Sequence, residues 1–164
     1  MSAVTGIVVR RARAGDAPGI CAAHIASIRG VCSRDYSPEE IESWCFGKVP
    51  ALYEPLIEQW AWYVGDAGGE IAGFGEVDVA AAPRAAEVKG LYIAPAWVGK
   101  GVGAAIIRRL LEDARGARVQ RVFLKGTLTA EPFYRRMGFV QTGRGVHRSR
   151  GGLDLACVMM EMIL

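Results

Sequence analysis

The stretch from Glu87 to Ala105 constrains this chain more than any other. Val88, Leu91, Tyr92 and Ile93 are residue types that favour a pleated, buried strand. Pro95 ends that strand because it has no N–H to give to a ladder. Gly99, Gly101 and Gly103 then allow other groups to approach the backbone closely. Val102, Ile106, Leu110 and Leu111 recur at helical spacing, with Arg108, Arg109, Glu112 and Asp113 off that stripe. The order is therefore strand, short turn, helix. A glycine-rich turn that opens a helix presents unpaired N–H groups at the positive end of the helix dipole. Such a turn is a seat for phosphate oxygens.

Two phosphate-loop chemistries fit poorly. A P-loop needs Gly-Lys followed by Ser or Thr to reach magnesium, and here Gly101 follows Lys100. Gly99, Gly101 and Ala104 match a dinucleotide fingerprint in form. That fingerprint should follow a strand directly and have an acid about twenty positions on for a ribose. Here Pro95 to Val98 intervene, and Arg121 to Gly126 offers no acid.

The loop Val98-Gly99-Lys100-Gly101-Val102-Gly103 resembles the acyl-coenzyme A loop of the GNAT superfamily of N-acetyltransferases, Gln/Arg-x-x-Gly-x-Gly/Ala. Thr129-Ala130-Glu131-Pro132-Phe133-Tyr134-Arg135-Arg136-Met137-Gly138-Phe139 resembles the family's second signature, Asn-Ala-x-x-Phe-Tyr-x-x-x-Gly-Phe. The two occur in the family's order and spacing. Two positions depart from the pattern. Val98 replaces Gln or Arg, which removes a side chain near the pyrophosphate, and Thr129 replaces Asn while keeping the ability to cap a helix. The resemblance covers the chain well from Glu70 onward and the first half only in outline.

The resemblance implies an α/β fold with a mixed, mostly antiparallel central sheet of about seven strands and helices on both faces. The family's fourth and fifth strands form a parallel pair that splays apart, and the gap holds the pantetheine arm. The resemblance further implies that acetyl-coenzyme A is the acyl donor. Its thioester carbonyl would be held by a backbone amide near Leu91, where the family's fourth strand bulges. Its pyrophosphate would lie on the amides of Gly99, Lys100, Gly101, Gly103 and Ala104. Tyr92, Ile93, Val98, Val102, Thr129, Phe133 and Tyr134 complete the implied donor site.

Composition agrees with that reading. The 164 residues suit one domain, residues 1–164, large enough for a sizeable core. No stretch approaches eighteen uninterrupted apolar residues, and no basic-then-apolar leader occupies Met1 to Arg11. These features point to a cytoplasmic protein that does not engage membranes. Cys21, Cys32, Cys45 and Cys157 show no Cys-x-x-Cys pairing, so the expectation is four reduced, mostly buried thiols. His24 and His147 have no ligand-like spacing to a cysteine, so no metal is expected. The net charge of +3 is modest, and the patch at Arg144, Arg148 and Arg150 lacks the interleaved aromatics of a nucleic-acid surface.

Ile7 to Arg11 reads as the first strand, with Asp16 the N-cap of a helix from Ala17 to Cys32. Ser37-Pro38-Glu39-Glu40 is a capping box opening a helix to about Phe46, and Pro55 to Gln59 suggests a further short turn of helix. Trp60 to Val64 and Glu70 to Val79 are strands about the hairpin turn Asp66-Ala67-Gly68-Gly69. Ala80 to Ala86 reads as a loop. The organising helix ends near Gly116, and Arg121 to Leu124 is a strand. Ala130 to Met137 is a short helix that Gly138 terminates. Phe139 to Gly143 and Leu155 to Met162 close the sheet around an Arg/Gly-rich loop. Strand–helix–strand in the middle argues a locally parallel pair with hairpins on both sides.

Acetyl transfer to an amine needs a neutral nitrogen, a polarised thioester and a proton for the departing thiolate. An alkylamine with a pKa near ~10.4 is almost wholly protonated at pH 7, so a base or a desolvating pocket is required. Glu87 occupies the place at which glutamate-base members of the family carry their base, which implies that it takes the amine proton through water. Tyr134 falls on the family's tyrosine, which implies that it protonates the coenzyme A sulfur. Glu76 and Asp78 share a strand face and are candidates to attract a cationic amine. Tyr36, Trp44, Tyr53, Trp62 and Tyr92 are aromatic candidates for the acceptor pocket, though helical spacing favours the core for Trp44, and His24 reads as a core histidine. The acceptor is a small-molecule or peptide amine that the sequence does not specify. The leading reading is direct transfer in a ternary complex, in a monomer or homodimer. The alternative is a GNAT-fold protein that senses acyl-coenzyme A without turnover.

Overall fold

The computed structural model describes residues 3–4 and 6–164, so the very start of the stretch weighed as a leader lies outside the described residues. One mixed sheet runs through the molecule. Its strands are β1 (Ala3–Val4), β2 (Ile7–Arg11), β3 (Ala61–Ala67), β4 (Glu70–Ala82), β5 (Ala85–Ile93), β6 (Arg121–Thr127), β7 (Val140–Arg148) and β8 (Asp154–Ile163). Their order across the sheet is β1-β2-β3-β4-β5-β6-β8-β7. Seven are the expected strands, and the two-residue β1 adds an edge beside β2.

Among the described residues only β5 and β6 pair in parallel, and their ladder stops early. It runs from Ala85↔Arg121 to Val88↔Leu124. Beyond that point β5 stays on β4 as far as Gly73↔Ile93, while β6 stays on β8 as far as Thr127↔Cys157. The halves of the sheet therefore diverge beyond Val88 and Leu124. The ladder of β4 and β5 also slips by one residue. Glu76 faces Gly90, but Val77 faces Val88, which leaves Lys89 as the extra residue of a bulge. The bulge thus lies just before Leu91 in the chain.

Helices α1 (Ala17–Gly30), α2 (Pro38–Cys45) and α3 (Glu54–Gln59) belong to one face, and α4 (Val102–Gly116) and α5 (Glu131–Arg136) to the other. The stripe read from the sequence is the buried face of α4: Val102, Ile106, Leu110 and Leu111 pack with Ala105, Ile107 and Ala114. Each fully buried Leu or Ile contributes about 1.5–3 kcal/mol of transfer free energy. A missing Cβ sets how close this helix sits. A Cβ on Gly75 of β4 would lie 2.7 Å from Ile106. Tyr63 of β3 then pins the helix by donating its buried hydroxyl to Asp113 at 2.9 Å.

Several local expectations change. Asp16 holds the N-cap position of α1, yet its side chain makes no cap bond to that helix. The carboxylate instead accepts from Arg10 at 2.8 Å and from the Arg13 N–H at 2.8 Å, because a paired guanidinium is the stronger donor. The Arg10 partner holds the Asp16 carboxyl below its usual range. Ser37 does cap α2, accepting from the Glu40 N–H at 3.2 Å. The supposed loop from Ala80 to Ala86 is mostly strand, turned at Pro83-Arg84 with Arg84 at a φ of 57°. The Arg/Gly-rich loop is shorter than expected, since Arg144 and Arg148 lie within β7. All four cysteines are free and buried. Among the described residues no helix is long and apolar enough to cross a membrane.

Candidate active site

The divergence of β5 from β6 opens a cleft of about 560 Å³. Its floor is the end of β5, one wall is the glycine turn and the start of α4, and the other is α5 with the segment before it. The turn is built for close approach. Gly99 and Gly101 have φ of 76° and 82°, and a Cβ on Gly99 would meet nothing within 4 Å. The first intrahelical bond of α4 runs from the Ala105 N–H to the Gly101 carbonyl at 3.0 Å. The N–H groups of Val102, Gly103 and Ala104 therefore have no partner within the helix.

Of the residues that the sequence assigned to the donor, all but Lys100 line this cleft. The Lys100 ammonium lies 4.9 Å from the Trp97 ring centroid instead, because an aromatic face attracts a cation. Thr129 lines the cleft, but it does not cap α5. The Ala130 N–H donates to Thr127 Oγ1 at 3.0 Å, and the buried Oγ1 of Thr129 has no protein partner. Arg34 and Arg136, which the sequence reading did not single out, also line the cleft and can meet anionic groups. Tyr134 is buried between Phe133 and Phe139, in edge contact with both rings. Burial pushes its phenol pKa well up, so the hydroxyl keeps its proton at neutral pH.

A second cavity of about 400 Å³ shares Tyr92 and Thr127 with the first. Of the five aromatic candidates, Tyr36, Trp44 and Tyr92 line it. Tyr53 and Trp62 do not, because they pack under β3 and β4 with Ile20 and Phe74. Tyr36 is fixed in place, donating to the Ala156 carbonyl at 2.6 Å and accepting from the Leu128 N–H at 3.0 Å. His24 is a core residue as expected, bonded through Nδ1 to Tyr53 Oη at 2.8 Å, and desolvation pushes its pKa well down.

Glu87 and Glu76 both line the second cavity, and Asp78 does not. The Asp78 carboxylate accepts from the Ala80 N–H at 2.9 Å. Glu87 lies 3.4 Å from the Lys89 ammonium, with a quarter of its side chain exposed. Glu76 accepts from the Trp60 indole N–H at 2.8 Å. Burial pushes the Glu76 carboxyl up to about 7, against the pull of Trp60 and Lys89. Trp60, Lys89, Lys125, His147 and Cys157 complete a lining that the sequence reading did not foresee. Lys125 and His147 were invisible to it because they come from β6 and β7, which only the sheet order brings together. No group of three or more His, Cys, Asp or Glu that could hold a metal occurs among the described residues.

A mixed sheet whose one parallel ladder among the described residues breaks beside two cavities sharing Tyr92 and Thr127 defines the structural class of this chain, and likeness to known proteins supplies its family. Residues 32–164 match the family model described as "Acetyltransferase (GNAT) domain". The chain is 32% identical over 141 residues to an amino-acid acetyltransferase of Mycobacterium tuberculosis, covering 82% of this chain and 68% of that protein. A GCN5-related N-acetyltransferase from Rhodopseudomonas palustris superposes with a TM-score of 0.87 at 22% identity, covering 100% of this chain and 99% of that one. The PaiA N-acetyltransferase of Thermoplasma acidophilum, solved in complex with coenzyme A, gives 0.76 at 20% identity over the whole of both chains. The chain belongs to the GNAT acetyltransferase family.

Proposed function

We propose that this protein transfers the acetyl group of acetyl-coenzyme A directly to a primary amine, with both substrates bound at once. The observation that carries this reading is the pair of cavities joined at Tyr92 and Thr127, one of them opening on a glycine cradle. Two features fit the donor: the open face of Gly99 suits a phosphate, and the unpartnered Thr129 Oγ1 awaits a polar group. Acetyl-coenzyme A supplies the activated acyl group. The amides at the start of α4 hold its phosphates, the edge of β5 around Leu91 orients its thioester, and Tyr134 gives a proton to the departing sulfur. The acceptor amine occupies the second cavity, where a carboxylate relieves it of a proton. Glu87 is the carboxylate that the sequence put forward.

The cavity's size suits a small amine or the end of a peptide. Because a relative is named an amino-acid acetyltransferase, amino acids belong in the first panel tested. The reading further places the protein in the cytoplasm, alone or as a homodimer, with no nucleic-acid or membrane partner. The test is release of free thiol from acetyl-coenzyme A over a panel of amino acids, polyamines, aminoglycosides and peptides. Thiol release that depends on one class of amine is expected. A protein that acetyl-coenzyme A stabilises to heat, but that releases no thiol with any amine, would contradict turnover.

A further inference from the structure

Two carboxylates line the acceptor cavity, and their settings differ. Glu87 is engaged by Lys89. Glu76 is engaged on one oxygen only: Oε2 accepts the Trp60 indole N–H, which fixes the plane of the carboxylate. Its other oxygen fills the space left by a missing side chain. Glu76 faces Gly90 across the ladder, and a Cβ on Gly90 would lie 3.1 Å from Oε1 and 3.4 Å from the Tyr92 ring. The free oxygen and the ring that both cavities share therefore border the same vacant position beside Gly90. Lys89, the extra residue of the bulge beside Gly90, covers Trp60 with its ammonium 4.8 Å from the ring centroid.

We propose that Glu76, held by Trp60 and given room by Gly90, is the group that takes the proton from the acceptor ammonium. This rests on the transferase reading above. The nitrogen loses two protons in all. The first passes to Glu76 Oε1, which leaves the neutral amine. The nitrogen lone pair then forms the C–N bond to the acetyl carbon as the C–S bond breaks, and the sulfur takes the proton of Tyr134. The second nitrogen proton restores the Tyr134 phenol, and Glu76 releases its proton to water. No oxidant or further reactant is needed.

Surrounding groups suit this exchange. Glu87 and Lys89 on β5, Lys125 on β6, His147 on β7, Cys157 on β8 and the phenols of Tyr36, Tyr53 and Tyr92 are the titratable groups about Glu76 and its cavity. Burial raises its carboxyl to about 7, near the optimum for accepting a proton at neutral pH.

The experiment is the pH profile of kcat/KM for an accepted amine, with Glu76→Gln, Glu76→Asp, Glu87→Gln and Gly90→Ala. In the parent, kcat/KM should fall below about pH 7, as Glu76 becomes protonated. Glu76→Gln should lower kcat/KM at neutral pH by roughly 10²–10⁴, the range for a lost base. Its profile should lose the limb near neutrality and rise steadily toward the amine's own pKa, so that the deficit narrows above about pH 9. Glu76→Asp should restore part of the limb, and Glu87→Gln should keep it. Gly90→Ala displaces Oε1 and should shift the limb without touching the donor, which serves if the Gln variant folds poorly. All variants should keep the parent's thermal stabilisation by acetyl-coenzyme A. A Glu76→Gln profile that matches the parent's overturns the proposal alone, as does loss of the limb in Glu87→Gln or an unmoved limb in Gly90→Ala. A parent that acetylates no amine overturns the transferase reading and this proposal with it.

Discussion

Burial raises the pKa of both Tyr134 and Glu76, and the consequences are opposite. For Tyr134 the retained proton is, on the proposed reading, the one to be donated. Tyr134→Phe keeps the ring contacts with Phe133 and Phe139. It should therefore preserve stability and acetyl-coenzyme A binding, while single-turnover rates fall by roughly 10²–10⁴. Loss in kcat and kcat/KM together marks a transition-state role, and an unchanged single-turnover rate would leave Tyr134 as packing. For Glu76 the retained proton affects stability. Its folded pKa, about 7, exceeds the ordinary 4.5, so the folded state holds a proton that the unfolded chain releases. The stability this adds is complete below about 4.5 and is lost as pH rises through about 7. The amount is on the order of 2 kcal/mol, allowing for screening by water. Denaturant unfolding at pH 5 and pH 8 should show Glu76→Gln gaining on the parent at the higher pH; a constant gap would contradict the burial of this carboxyl. The tyrosine was legible because it sits in a fixed eleven-residue frame, Thr129 to Phe139. The glutamate was legible only as one of two acids on a strand face. What sets it apart from Asp78 is the pairing with Gly90 and the reach of Trp60, and both depend on a register that strand composition does not encode.

The element that positions the donor is α4, and its depth follows from residues that have no side chain. Gly75 lets Ile106 close on β4, and a Cβ on Gly65 would stand 2.9 Å from Val102, the first residue of the helix. The helix start is thereby held level with the end of β5. Gly103→Val tests the cradle. Gly103 lies within the helix, and a Cβ there would make van der Waals contact with Phe133 at 3.4 Å. The variant should fold, yet lose most of the melting-temperature rise that saturating acetyl-coenzyme A gives the parent, a rise that at a hundredfold excess over Kd reflects about 2.7 kcal/mol. A full rise in the variant would remove the cradle from the donor site. Helix α4 was legible because its period is regular, and the hairpin turn at Gly68-Gly69 because its glycines take positive φ. The turn between β4 and β5 was misread. Alanines and a proline resemble a loop, whereas Arg84 adopts the left-handed conformation that closes a two-residue hairpin. Thr129 was expected to cap α5, but that helix has no side-chain cap, and the nearest hydroxyl bond, from the Ala130 N–H to Thr127 Oγ1, lies just before the helix.

At the scale of the whole molecule, the break in the sheet bears on the proposed kinetic order. The β5–β6 ladder ends at Val88 and Leu124, and both cavities reach the gap that follows. On the proposed reading, amine and thioester meet there without a covalent stop on the protein. Holding two reactants in register supplies about 7–11 kcal/mol of a barrier, which makes an acyl-enzyme unnecessary. One thiol could in principle intervene, since Cys157 lines the acceptor cavity. Desolvation raises its pKa, only partly offset by Lys125 and the Gly145 N–H, so the thiolate that would attack is scarce at neutral pH. The sequence carries no sign of this placement of Cys157, which depends on β8 lying between β6 and β7. Initial rates measured against both substrates should therefore give intersecting double-reciprocal lines. Cys157→Ala should keep kcat within about a factor of three, because it removes a buried sulfur without removing a reacting group. Parallel lines, together with acetyl groups left on the protein when acetyl-coenzyme A is supplied without amine and absent from Cys157→Ala, would establish a covalent route through that thiol and overturn direct transfer.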